Sequence, residues 1–127
     1  MKNVTQTIII NKPIEEVFTF TINPQNTPKW IDGIAIEETN EWPVKLGTIY
    51  RNQNKNGDWS EFEVTLFEPN KMFTMRKNDG GEVRYSFKAL GEDKTELTYF
   101  YEWTGKYELK ESLLIEILGK LKKVIEA

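Results

Sequence analysis

The sequence contains no cysteine and no histidine. Disulfides, thiolate nucleophiles, Cys/His zinc sites and any mechanism with a histidine base are therefore excluded. Only an all-carboxylate metal site remains open, and no cofactor is implied. Basic blocks are also missing. Net charge is -3 and the sequence pI is about 5.1, so clustered phosphate neutralisation is absent and nucleic acid is not an expected partner. Long apolar runs are lacking too. The longest near the start is Ile8-Ile9-Ile10, far too short for a signal peptide or a membrane span. A cytoplasmic protein without membrane insertion is the expectation. Repeats, low-complexity stretches and linkers are absent.

What is present suits one domain. The chain has 127 residues, of which 39% are hydrophobic, 13% aromatic and 29% charged, with both signs interspersed. That length fits a single domain spanning 1–127. Val4 to Ile10 is rich in β-formers and predicts a first strand. Pro13 opens a short helix with Asn11 or Lys12 at the cap, and Asn23-Pro24 ends it. A second short helical piece runs towards Trp30, with Pro28 disturbing its regularity.

From Gly33 the period changes to two. Strands are expected over Ile34 to Glu38, Thr48 to Asn54, Asp58 to Glu68, Lys71 to Lys77, around Val83 to Phe87, and over Thr95 to Thr104. Asn56-Gly57, Glu68-Pro69-Asn70, Asp79-Gly80-Gly81 and Gly91-Glu92-Asp93 supply the turns. Connections this short make an antiparallel meander. Alternation puts Phe62, Val64 and Leu66 on one face, and likewise Val83, Tyr85 and Phe87, and Leu97, Tyr99, Tyr101 and Trp103. Glu61, Glu63, Arg84, Glu96 and Glu102 fall on the other face, as solvated charges.

The last segment, Glu108 to Glu126, predicts a long helix. Leu109, Leu113, Ile117, Leu121 and Ile125 recur every four residues, and Leu114 and Leu118 widen the stripe. Gly119 interrupts it, as a kink or a close approach to the sheet. The apolar face of the sheet needs a cover, and this helix has the only long apolar stripe. The expected class is α+β: a curved antiparallel sheet of about seven strands wraps a C-terminal helix, and two short helices lie between strands one and two.

That order resembles the START-like or SRPBCC superfamily, which includes the pollen-allergen-like and polyketide cyclase/dehydrase-type proteins of helix-grip fold. The local marks are Ile10-Asn11-Lys12-Pro13-Ile14-Glu15-Glu16-Val17-Phe18, Pro28-Lys29-Trp30, Gly47-Thr48-Ile49-Tyr50, Phe67-Glu68-Pro69, Tyr85-Ser86-Phe87 and Lys94-Thr95-Glu96-Leu97-Thr98. The resemblance implies a fold that binds lipids, sterols, polyketides, quinones or plant hormones. Some relatives act as enzymes or chaperone cofactors, so fold alone does not choose among these.

The expected partner is a small hydrophobic molecule held between sheet and C-terminal helix. Candidate lining residues are Trp30 from the second helical piece, Tyr50, Phe62, Val64, Phe73, Met75, Tyr85, Phe87, Tyr99, Tyr101 and Trp103 from the sheet, and Leu113 and Ile117 from the C-terminal helix. Ile49 competes with Tyr50 for the inner face. Aromatic rings supply contact area and Tyr hydroxyls supply orientation. The competing reading is a filled core. The chain would then be a protein-interaction or chaperone-cofactor-like module, or a homodimer, with Trp42 and Trp59 available to an interface. A third reading is a cyclase or dehydrase. Its acid-base candidates are Tyr85, Tyr99, Tyr101, Arg51 and the carboxylates, but no nucleophile-base pair or phosphate loop is present.

Overall fold

The structure, a computed structural model, describes residues 2–105 and 108–127. Strand β1 (Lys2–Ile10) leads into helices α1 (Ile14–Ile22) and α2 (Thr27–Trp30). Six strands follow: β2 (Ile34–Thr39), β3 (Ile49–Asn54), β4 (Trp59–Glu68), β5 (Met72–Lys77), β6 (Glu82–Gly91) and β7 (Lys94–Trp103). Helix α3 (Glu111–Glu126) closes the chain. The seven strands form one antiparallel sheet in the order β1-β7-β6-β5-β4-β3-β2. The expected class and meander are both present, with β1 returning to pair with β7.

Local chemistry explains the turns. Lys55-Asn56-Gly57 is a short loop closed by the Asn54 N–H to Asp58 carbonyl bond, with Gly57 at φ 90° where other residues are strained. Asn70 takes φ 62° in the β4–β5 turn, a conformation asparagine tolerates. Helix α1 starts one position later than expected. Pro13 itself is its cap residue, and the Asn11 N–H is instead bound by the Glu126 carboxylate at 2.7 Å. Pro28 sits in the first turn of α2, where its missing N–H costs nothing.

Two β-bulges reset the strand alternation. In β4 the register shifts between Val64 and Leu66, so Leu66 turns 36% exposed while Phe67 joins the core against Phe18 and Phe73. The expectation that Leu66 faces inward is thus corrected. In β2 the shift falls between Ile34 and Ile36, which leaves Ile36 exposed and brings Glu37 to the inner face beside Asn52.

Helix α3 begins at Glu111, not Glu108, although Leu109 ahead of it is buried. Its buried stripe is Leu114, Leu118, Leu121 and Ile125. A strict four-residue repeat drifts about 40° per step around a helix of about 100° per residue. Leu113 therefore rotates off the buried face and is 46% exposed, while Ile117 is half-buried at its edge. The expectation that Leu113 faces the sheet is corrected on that ground. Helix α3 lies along β1 and against α2. Lys122 donates to the Ile9 carbonyl at 2.7 Å, fixing that placement.

Gly119 is not a close approach to the sheet, and α3 runs through it as one continuous helix. It is exposed, and a Cβ there would meet no atom within 4 Å. Gly119→Ala should therefore stabilise the protein by about 1 kcal/mol through helix propensity alone. A calorimetric midpoint raised by roughly 4 °C is the expected reading, and an unchanged or lower midpoint would reveal a constraint on that backbone.

Candidate functional site

The inner face of the sheet is aromatic from β3 to β7. Tyr50, Phe73, Tyr85 and Tyr99 form a chain of ring contacts, with centroids 5.8 Å, 6.0 Å and 5.2 Å apart in that order. Trp30 meets Tyr85 edge-on at 6.4 Å. Such offset and edge contacts hold the rings in place beyond their area of burial.

These rings do not fill the space before them. A cavity of about 70 Å³ lies between the sheet and the α1–α2 segment. Tyr50, Phe62, Phe73, Met75, Tyr85 and Tyr99 line it from the sheet, with Val83 between them. Thr21, Ile22, Thr27 and Ile31 cover it from the helical side. The remaining walls are Ile34, Glu37 and Asn52.

The cavity is thus displaced from where the sequence suggests. No residue of α3 lines it, because α3 is committed to the β1 edge. Of the other expected residues, Val64, Phe87, Tyr101 and Trp103 are buried in the core outside the cavity walls, and Trp30 is buried beside it. Ile117 and the exposed Leu113 instead border a separate groove of about 170 Å³ between the α2–β2 turn and α3. Tyr50 wins the inner position over Ile49, being 1% exposed.

Sequence reasoning missed Glu37. Strict alternation puts it outside, and the β2 bulge brings it in. Its Oε1 accepts a 2.6 Å hydrogen bond from the Thr27 hydroxyl, and its Oε2 accepts one of 3.2 Å from the Asn52 amide. Burial raises its carboxyl above the ordinary glutamate value, and these two hydrogen bonds only partly oppose that. Among the described residues no lysine or arginine forms an ion pair with it.

The phenols respond to the same surroundings. Tyr50 donates to the Ile22 carbonyl at 2.6 Å, which ties β3 to the end of α1. Burial pushes its hydroxyl far above the usual tyrosine value, and the Glu37 charge adds to the effect. Tyr85 is raised in the same way, first by burial and then by Tyr99, Glu37 and Tyr50. Both stay protonated at neutral pH, and Tyr50 acts there as a hydrogen-bond donor. Glu37 is the acceptor of the set, and the one group whose proton affinity moves towards neutrality.

The native Glu37 carboxyl holds its proton more tightly than the same group in the unfolded chain. The folded state therefore loses stability as pH rises from the ordinary glutamate range through the raised value. Glu37→Gln removes that loss. Its melting midpoint minus that of the wild type should be near zero at pH 4 and several degrees positive at pH 8. The other cavity titratables, Tyr50, Tyr85 and Tyr99, are common to both proteins, and α1 and α2 contribute none. The depressed carboxyls of Asp32, Asp79 and Glu126 also cancel in the difference. A difference independent of pH would contradict the raised carboxyl.

The sequence from residue 1 to residue 126 matches the family described as polyketide cyclase / dehydrase and lipid transport. The chain belongs to this family. Its fold agrees with solved structures across the whole chain. The Aha1 dimer from Colwellia psychrerythraea superposes with a TM-score of 0.76 at 18% identity, covering 99% of this chain and 97% of that one. A protein from Mesorhizobium loti gives 0.76 at 14% identity, covering 98% and 97%. The di-domain ARO/CYC protein StfQ of the steffimycin biosynthetic pathway gives 0.77 at 14%, covering 97% of this chain and 44% of that one. Identities this low establish the shared fold alone. No curated protein matches the sequence. Among the described residues, no helix of this family member is long and apolar enough to cross a membrane.

Proposed function

We propose that this family member binds a small, largely apolar molecule in the aromatic cavity between the sheet and the α1–α2 segment. The observation that carries this reading is the composition of the cavity wall. Rings from five strands surround a space that holds one carboxylate, one amide and several hydroxyls. Small-molecule sites combine apolar walls with a few convergent polar groups in this way. At about 70 Å³ the cavity takes roughly two waters, so a larger guest requires one of its walls to move.

The test is the thermal midpoint of the purified protein against fatty acids, sterols, isoprenoid quinones and aromatic polyketides. A compound at a hundredfold excess over its dissociation constant stabilises by about 2.7 kcal/mol, roughly 10 °C here. A saturable rise restricted to one class supports the reading and names the class. A flat response across the panel counts against it.

A second reading, an interaction module, draws on the small cavity and on three exposed apolar side chains. Trp42, Leu46 and Trp59 are 52%, 64% and 44% exposed. One structural neighbour, Aha1, is described as a dimer. Sedimentation velocity over a wide concentration range tests self-association directly, and a single monomer boundary throughout would remove that arm.

A further inference from the structure

Glu37 borders two spaces at once. On its inner side is the aromatic cavity. On its outer side is a surface depression of about 300 Å³, walled by Asn23, Pro24 and Gln25 of the α1–α2 turn and by Glu38, Thr39 and Trp42. Glu37 is the residue that lines both, and it forms part of the partition between them. The partition is light. The Glu37 carboxylate within it is bound to Thr27 and Asn52, with no ion pair to hold it among the described residues. If that side chain turns, cavity and depression become one space of the size that small-molecule sites commonly have.

The rim is built to stay in place. The Thr48 hydroxyl accepts from the Lys45 N–H at 2.9 Å and donates to Glu41 at 3.0 Å. Asn40 and Ile49 exchange two bonds, a 3.1 Å backbone bond and a 2.9 Å bond to the Asn40 side chain. These contacts anchor the loop that carries Trp42 at the mouth.

The chemistry at the partition is one-sided. An ionised carboxylate offers about four acceptor positions, and the protein fills two of them. A carboxylate moved away from water is stabilised by further donors, most strongly by a cation. The walls behind it are apolar rings.

We infer that the molecule enters past Trp42 and places a hydrogen-bond donor, an amine or a hydroxyl, on the Glu37 carboxylate, with its apolar body among Tyr50, Phe73, Tyr85 and Tyr99. This rests on the binding function proposed above and adds the polarity of the ligand and its route. It selects against ligands that present a carboxylate or phosphate at that end, because the Glu37 carboxylate repels them, while the neighbouring Glu38 is paired with Arg51 at 3.5 Å.

Four matched probes test it: 2-phenylethylamine, 2-phenylethanol, ethylbenzene and phenylacetate. Binding is followed by tryptophan fluorescence and by the Asn52 side-chain amide signal in nitrogen-15 NMR. The amine and the alcohol should bind at least tenfold more tightly than ethylbenzene, and phenylacetate more weakly still. Glu37→Gln should weaken the amine at least tenfold. A smaller loss for the alcohol identifies ionic contact as the amine's advantage, and equal losses identify the neutral hydrogen bond. Ethylbenzene should be unaffected by the substitution. If ethylbenzene binds as well as the amine and Glu37→Gln changes neither, the donor inference fails while the cavity reading stands. If no probe binds the wild type and the Asn52 signal never moves, both fail. Trp42→Ala, which leaves the cavity walls intact, should change the rate of binding more than its strength. Unchanged rates would overturn the route.

Discussion

Phe73→Ala is expected to destabilise the protein by about 3–5 kcal/mol. Phe73 has no exposed surface and sits at the centre of the aromatic network. Its ring meets Tyr50 at 5.8 Å, Phe67 at 6.1 Å and Tyr85 at 6.0 Å. Truncation removes all three contacts and enlarges a cavity that already exists, so the surroundings have little reason to collapse inwards. Domains of this kind have only about 5–15 kcal/mol in total. The melting midpoint should therefore fall by roughly 12–20 °C. Urea titration should show a lower transition concentration at an unchanged slope. A loss below about 1 kcal/mol would mean that the void is refilled and that the rings are less tightly fixed than their geometry indicates.

Val83→Phe should abolish ligand binding while leaving the fold in place. Val83 lines the cavity and is 5% exposed, opposite Met75 on one side and Tyr101 on the other. A phenyl ring at that position grows into a space of about 70 Å³ and occupies most of it. Overpacking costs about 1–3 kcal/mol where the fit is imperfect, an amount a cooperative melt can still report. A compound that stabilises the wild type by about 10 °C should leave this variant unmoved. A retained shift would move the site elsewhere, with the groove between the α2–β2 turn and α3 as the next candidate.

The strands that alternate without interruption were legible in the sequence. Val83, Tyr85 and Phe87, and Leu97, Tyr99, Tyr101 and Trp103, are all buried as their period requires. The turns followed from glycine and asparagine chemistry. What alternation could not carry was the two bulges, because neither is marked by a glycine. A bulge inverts every position beyond it, and so Leu66 turned outwards against expectation and Glu37 turned inwards. One signal did exist for Glu37. Once Tyr50 faces inwards, Asn52 must do so as well, and a buried amide needs a polar partner. Glu37 lies directly across from Asn52 in the register. The helix stripe held at Leu109, Leu114, Leu118, Leu121 and Ile125 and missed at Leu113 for a different reason. Equal spacing of four residues matches a helix only over short distances, and α3 is long enough for the drift to matter.

The pairing of β1 with β7 has a consequence for how this chain reaches its native state. Thr7 and Thr98 share a hydrogen bond although 91 residues separate them. Every other strand pair joins sequence neighbours and can zip as a hairpin soon after both halves exist. On the ribosome β1 is made first and finds its partner last, so its Ile8-Ile9-Ile10 run waits unpaired through the synthesis of the rest of the sheet. Contacts of such separation slow the search for the native topology. A permuted chain that begins at β2 and carries β1 after α3 would make β7 before β1 and shorten the delay.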